Sequence, residues 1–167
     1  MDIRLANLDN LDDIMSLINQ AKNYFKRNHI DQWQNGYPNA STIRNDINAR
    51  KSYVLTQDHR IIGTMYYAFE DDSDYHHIKN GHWLTNSPYG VIHRVVVDES
   101  FKGHGLAHQL LSYGEKQLRA MNVKSIRMDT HLDNVSMQRF LHKNGFVYCG
   151  EISLRKNEPR IAFEKIL

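Results

Sequence analysis

Between the apolar run Val95-Val96-Val97 and a helix-like stretch, the chain reads Lys102-Gly103-His104-Gly105-Leu106-Ala107-His108. Residues without side chains let an anion approach backbone amides closely. The first amides of a following helix are unpaired, and its positive end favours a phosphate or pyrophosphate. Lys102 and His104 add local positive charge. A glycine turn ahead of a helix also forms simply for tight packing, and that reading stands beside the first. Two phosphate-bearing ligands compete for the turn. A dinucleotide site needs G-x-G-x-x-G, and His108 stands where the third glycine belongs, although Asp129 could serve as the ribose-binding acid. A P-loop is excluded, because no Gly-Lys-Ser/Thr follows at the required distance.

Other groups carry less. His76, His77 and His82 lie among Asp71, Asp72 and Asp74, but no pair has the spacing of a helical ligand set, so no metal is expected. Cys149 is the single cysteine, which rules out an intrachain disulfide and a thiolate zinc cluster and reads as a small buried apolar group. The formal charge of +2, from 21 basic and 19 acidic side chains, gives no field that implies nucleic acid or an anionic membrane as a partner. No apolar run approaches the roughly 20 residues of a membrane span, and Met1 to Leu5 lacks a signal-peptide core, so a cytoplasmic protein is expected.

The elements that must position these groups follow from periodicity. A chain of 167 residues predicts a single domain, residues 1–167. Asp2 to Ala6 predicts a strand; Asp9 and Asn10 offer N-caps to a helix with the stripe Leu11, Ile14, Ile18, Ala21 and Phe25. A second helix is expected over Ala40 to Ala49, then a hairpin of Ser52 to Thr56 and Arg60 to Phe69. Glu70 to Pro88 has no sustained period and reads as a long surface loop or a partly helical lid. Tyr89 to Asp98 is the most apolar strand. Gly103 to Ala120 is a helix with the stripe Leu106, Leu110, Tyr113, Leu118 and Met121. A strand (Lys124 to Asp129), a short helix (Asn134 to Lys143) and two strands (Phe146 to Ser153, Arg160 to Lys165) complete a mixed α/β chain. The meander ahead of the glycine turn fits a doubly wound dinucleotide fold poorly.

Lys102, Gly105 and Ala107 take the places of Arg/Gln-x-x-Gly-x-Gly/Ala after a strand of the form apolar-x-Val, with Lys for Arg or Gln as a departure. Asn134 to Phe146 is similar to N-x-x-A-x-x-F/L-Y-x-x-x-G-F. On these two motifs, in this order, the chain resembles the GNAT family of N-acetyltransferases. The resemblance implies a GNAT-like fold: a central, mostly antiparallel, twisted sheet of about seven strands with about four flanking helices. It implies acetyl-CoA as co-substrate, with the backbone of Val95, Val96 and Val97 along the pantetheine arm and Lys102, Gly103, His104, Gly105, Leu106, Ala107 and His108 at the pyrophosphate. Asn134 and Phe140 are further cofactor contacts, and Asn134 as a helix cap alone also makes sense.

The reaction so implied has a neutral amine attack a thioester carbonyl, pass through a tetrahedral oxyanion and expel a thiolate. A lysine-like amine, with a pKa near 10.4, benefits from a base. His93 has the place on the strand where a histidine takes that role in arylalkylamine acetyltransferases, and its unperturbed pKa near 6.5 suits it; a histidine hydrogen-bonded inside the sheet is the alternative. The family's general acid, the tyrosine of the second motif, is Leu141 here. His142, Tyr148 and Tyr89 are candidate substitutes. Trp33, Tyr37, Tyr66 and Glu70 are candidate acceptor contacts, the expected partner being a small-molecule or peptide amine. A homodimer paired through the hairpin or the last strands is a further expectation. A non-catalytic acyl-CoA sensor and an NAD(P)-binding oxidoreductase remain as alternatives.

Overall fold

In a computed structural model, which describes residues 1–155 and 157–167, the strands β1 (Asp2–Leu5), β2 (Ser52–Gln57), β3 (Arg60–Phe69), β4 (Gly90–Val97), β5 (Ser125–Thr130), β6 (Val147–Leu154) and β7 (Glu158–Ile166) form a seven-stranded sheet. Four helices accompany them: α1 (Leu11–Arg27), α2 (Ala40–Asn48), α3 (Leu106–Ala120) and α4 (Val135–Lys143). The sheet order is β1-β2-β3-β4-β5-β7-β6. The pairings β1–β2, β2–β3, β5–β7 and β6–β7 are antiparallel, while β4–β5 is parallel and is paired at Gly90↔Ile126 and Val91↔Arg127. That is the mostly antiparallel mixed sheet the motifs implied. A doubly wound fold needs a parallel sheet, so the dinucleotide reading is overturned by this topology.

Two compact units divide the chain, Met1–Tyr67 with His93–Gly114, and Ala68–Ile92 with Glu115–Leu167. In the first, the α1 and α2 stripes bury Ile14, Leu17, Ile18, Ile43 and Ile47 with Val54, Ile61 and Val96. Each such side chain, taken fully from water, contributes about 1.5–3 kcal/mol. Alternation along β4 sends Val96 into this core and leaves Val95 and Val97 half-buried.

Beyond shifts of one or two residues at the ends of most elements, three details differ from expectation, each for a local reason. Asn10 stands at the N-cap position of α1 without a side-chain cap bond; its Oδ1 accepts instead from the Asn7 amide at 3.1 Å and from Arg4 at 3.1 Å. Helix α3 begins at Leu106 rather than Gly103, because Gly103 (φ 86°) and Gly105 (φ 75°) hold a left-handed backbone. The Met121 side chain is 52% exposed, off the predicted stripe, because the helix closes before it: the Val123 amide donates back to Leu118 O, and Asn122 takes φ 59°.

Residues 70–88 form the largely exposed, partly helical loop that was expected, and side chains and backbone groups pin it to the second unit. Tyr75, in a 3-10 turn over Ser73–Tyr75, is fully buried and donates its hydroxyl to Asp129 at 2.7 Å. Trp83 Nε1 donates to Tyr75 O, and the Leu84 amide donates to Glu164 at 2.6 Å. Arg127 lies between the Trp83 and Tyr89 rings, 4.2 and 3.9 Å from their centroids, and donates to Glu164 and to Thr85 O. Ser125 donates to the same buried Glu164. Lys79 forms a two-bond antiparallel bridge with Glu151 of β6. A Cβ on Gly81 would come within 1.9 Å of Cys149 O, so only glycine permits this approach. Among the described residues no helix is long and apolar enough to cross a membrane.

Candidate active site

The first unit gathers most of the predicted site. After β4, Asp98 is buried and its carboxylate accepts from the Ser100 amide at 2.9 Å, the Ser100 hydroxyl at 2.6 Å and Arg60 at 2.6 Å. Burial pushes this carboxyl up, but the Ser100 bonds and the Arg60 charge outweigh it and hold it below its ordinary value. Asp98 thereby fixes the 3-10 turn Glu99–Phe101 that launches the glycine turn. Helix α1 braces the same turn: Gln20 Oε1 accepts from the Glu99 amide, Arg27 pairs with Glu99 at 2.8 Å, and Lys102 Nζ lies 3.8 Å from the Tyr24 ring centroid.

At the turn itself the His104 amide is taken by Phe101 O, and the first helical bond runs from the Gln109 amide to Gly105 O. The amides of Leu106 and Ala107 therefore open α3 with no partner inside the helix. An added side chain at Gly103 or Gly105 would meet nothing within 4 Å, so the requirement for glycine lies in the backbone angle, not in crowding. Lys102, Gly103, His104, Gly105 and His108 are exposed, and Leu106 is buried in the core. The result is an exposed, positively flanked helix start immediately after β4.

His93 is half-buried on β4, its ring tilted 39° against Tyr66 with centroids 5.5 Å apart. Its neighbour Arg94 was not singled out by the sequence reading. Arg94 has φ 51° in mid-strand, a left-handed conformation that costs a non-glycine residue about 1–2 kcal/mol. Its guanidinium donates to Tyr37 Oη at 2.6 Å and to Asp46 Oδ2 at 2.7 Å, and stands 4.6 Å from the Tyr66 centroid. The Arg94 and Asp46 side chains are 12% and 13% exposed. Burial pushes the Asp46 carboxyl above its ordinary value, more than the charge and hydrogen bond of Arg94 and the charges of His93 and Lys51 pull it down. Two signals for this pair were available: a charged residue beside His93 in a strand whose other positions are glycine or apolar, and an aspartate between Ile43 and Ile47 on the inner side of α2.

Tyr37 and Tyr66 are thus brought together beside His93. Trp33 packs on the helical core instead, edge-on to Phe25 with centroids 5.5 Å apart. Glu70 belongs to the second unit and is half-buried there.

In that second unit Asn134 is buried and caps α4, its Oδ1 accepting from the Met137 amide at 3.1 Å, while Phe140 is half-buried on the same helix. Leu141 is fully buried. Of the substitutes for its missing hydroxyl, Tyr89 is buried and donates to Asp71 at 3.1 Å; burial pushes its hydroxyl up to about 12. His142 and Tyr148 are exposed, both edge-on to Phe163. Asp129 is occupied by the Tyr75 hydroxyl. Among the described residues no three His, Cys, Asp or Glu side chains are grouped to hold a metal; His76 pairs with Asp71 at 2.8 Å.

Comparison with known proteins agrees with this arrangement. A GNAT-family acetyltransferase from Streptococcus agalactiae has a crystal structure that superposes with a TM-score of 0.89 at 33% identity, over 99% of this chain and 95% of that one. Streptothricin acetyltransferase of Escherichia coli is 27% identical over 117 residues, 69% of this chain and 66% of that protein, just under two thirds of its length. The PaiA N-acetyltransferase of Thermoplasma acidophilum, solved in complex with coenzyme A, shares the fold at 14% identity with a TM-score of 0.73, over 99% of this chain and 98% of that one. Residues 16–146 match the description of the Acetyltransferase (GNAT) family, and the chain belongs to that family.

Proposed function

We propose that the chain is an N-acetyltransferase that moves the acetyl group of acetyl-CoA onto a primary amine, on a small molecule or a peptide, by direct attack. The observation that carries the reading is the glycine turn, with Gly103 and Gly105 left-handed ahead of the open first turn of α3 in a chain of an acetyltransferase family. In this reading the open amides at the start of α3, those of Leu106 and Ala107, with Gly103, Gly105 and His108 around them and the side chains of Lys102 and His104, hold the pyrophosphate. The backbone of Val95, Val96 and Val97 follows the pantetheine, and the resemblance of the second motif makes Asn134 and Phe140 further candidate contacts. The coenzyme A complex of the Thermoplasma acidophilum protein supports the class of co-substrate.

In the reaction the N–C bond forms, the C–S bond breaks, and the amine proton passes to His93. Leu141 offers no proton to the sulfur, so a thiolate of pKa near 8.5 leaves unassisted. Tyr37 and Tyr66, brought together beside His93, serve the acceptor. Streptothricin, in the name of the Escherichia coli relative, is the first acceptor to try, with spermidine and benzylamine beside it.

Calorimetric titration with acetyl-CoA and NADH in parallel, followed by thiol release with those three amines, tests the proposal. Binding of acetyl-CoA alone and thiol release with an amine are expected. Binding of NADH alone would sink it. The buried Leu141 favours a second reading, an acyl-CoA sensor without turnover; acetyl-CoA binding with no thiol release from any amine would select it.

A further inference from the structure

Arg94 joins three separate stretches of the first unit to the strand that carries His93. Its Nη1 donates to Tyr37 in the segment between α1 and α2, its Nη2 to Asp46 of α2, and its face lies on Tyr66 of β3. The Tyr66 ring also stacks on His93, so one aromatic ring touches both neighbours on β4. Buried ion pairs are poor sources of stability, because desolvation offsets the attraction, and this one is incomplete: Arg94 Nε is buried with no hydrogen-bond partner. A backbone outlier combined with a costly pair marks a constraint held for something other than stability.

We infer that Arg94, with Asp46 and Tyr37, is a positioning latch that fixes the α1–α2 segment against the His93 strand and thereby sets affinity for the amine acceptor, not for acetyl-CoA. The inference rests on the acetyltransferase reading and on that segment serving the acceptor. Lys22 secures the same segment from α1, donating to Pro38 O at 2.6 Å. That bond holds the backbone, and Arg94 orients the Tyr37 ring. Lysine does not replace Arg94, because only the planar fork reaches Tyr37 and Asp46 together.

The test uses Tyr37→Phe, which removes one hydroxyl and leaves the ion pair intact, beside Arg94→Lys. Readouts are acceptor KM and kcat with the best amine of the three, acetyl-CoA Kd by calorimetry, and hydrogen exchange over residues 35–48. Acceptor KM should rise about tenfold in each variant, the scale of one lost hydrogen bond to a charged group, with acetyl-CoA Kd held within about twofold. Exchange over 35–48 should quicken in Arg94→Lys. Unchanged acceptor KM in both variants, or a parallel rise in acetyl-CoA Kd, overturns the inference. If the wild type acetylates none of the amines, the functional reading fails on its own, and the exchange measurement still decides whether the latch holds: unchanged exchange in Arg94→Lys removes it.

Discussion

His93 within β4 and Asp98 just after it are tested by different titrations. Replacement of His93 by alanine should lower turnover by about 100-fold or more, the usual contribution of a positioned base, and flatten the pH–rate profile. A profile that keeps its shape would remove His93 from the mechanism. Asp98 acts through the fold. Its carboxyl is held below its ordinary 3.8, so its contribution to stability is present above the unfolded value and is lost as pH falls through the lower folded one. Asp98→Ala should cost about 1–3 kcal/mol in urea unfolding at pH 7, for hydrogen bonds left unmade at Ser100 and Arg60. The deficit should shrink below about pH 4; a deficit constant to pH 3 would mean that the charge is not the cause.

At the scale of elements, the strand-turn-helix unit makes the sharpest prediction. Gly105→Ala places a Cβ on a left-handed backbone at a cost of about 1–2 kcal/mol but meets no neighbour. The turn should relax out of shape rather than clash, raising acetyl-CoA Kd about fivefold or more, with a melting temperature only a few degrees lower. Unchanged affinity would show that these amides do not hold the ligand. This unit was legible in the sequence because its main determinants are local, a buried strand, two glycines, and Leu106, Leu110 and Leu118 of the stripe, buried as read; the braces from Gln20, Arg27 and Arg60 were not. The cap at Asn134 was legible for the same reason, its partner being three residues on. Arg94 and Asp46 are 48 residues apart, and Leu84 reaches Glu164 across 80. No window of periodicity contains such pairs, so the contacts that pin the 70–88 loop and the ion pair beside His93 were not seen.

At the scale of the molecule, the antiparallel order removed the dinucleotide alternative where the glycine pattern alone had left it open. The strand β6 ends the sheet, and its outer rim is partly taken by the Lys79–Glu151 bridge, admitted by the glycine at position 81. Because a bare rim is a template for another extended chain, the bridge acts as a guard against polymerisation. Gly81→Val should dislodge it, and the variant should gather into thioflavin-positive, sedimenting material at concentrations where the parent stays clear in light scattering. A variant as clear as the parent would mean the rim is protected by other means. The same short bridge therefore links one glycine, outside the proposed chemistry, to how long the protein survives at high concentration.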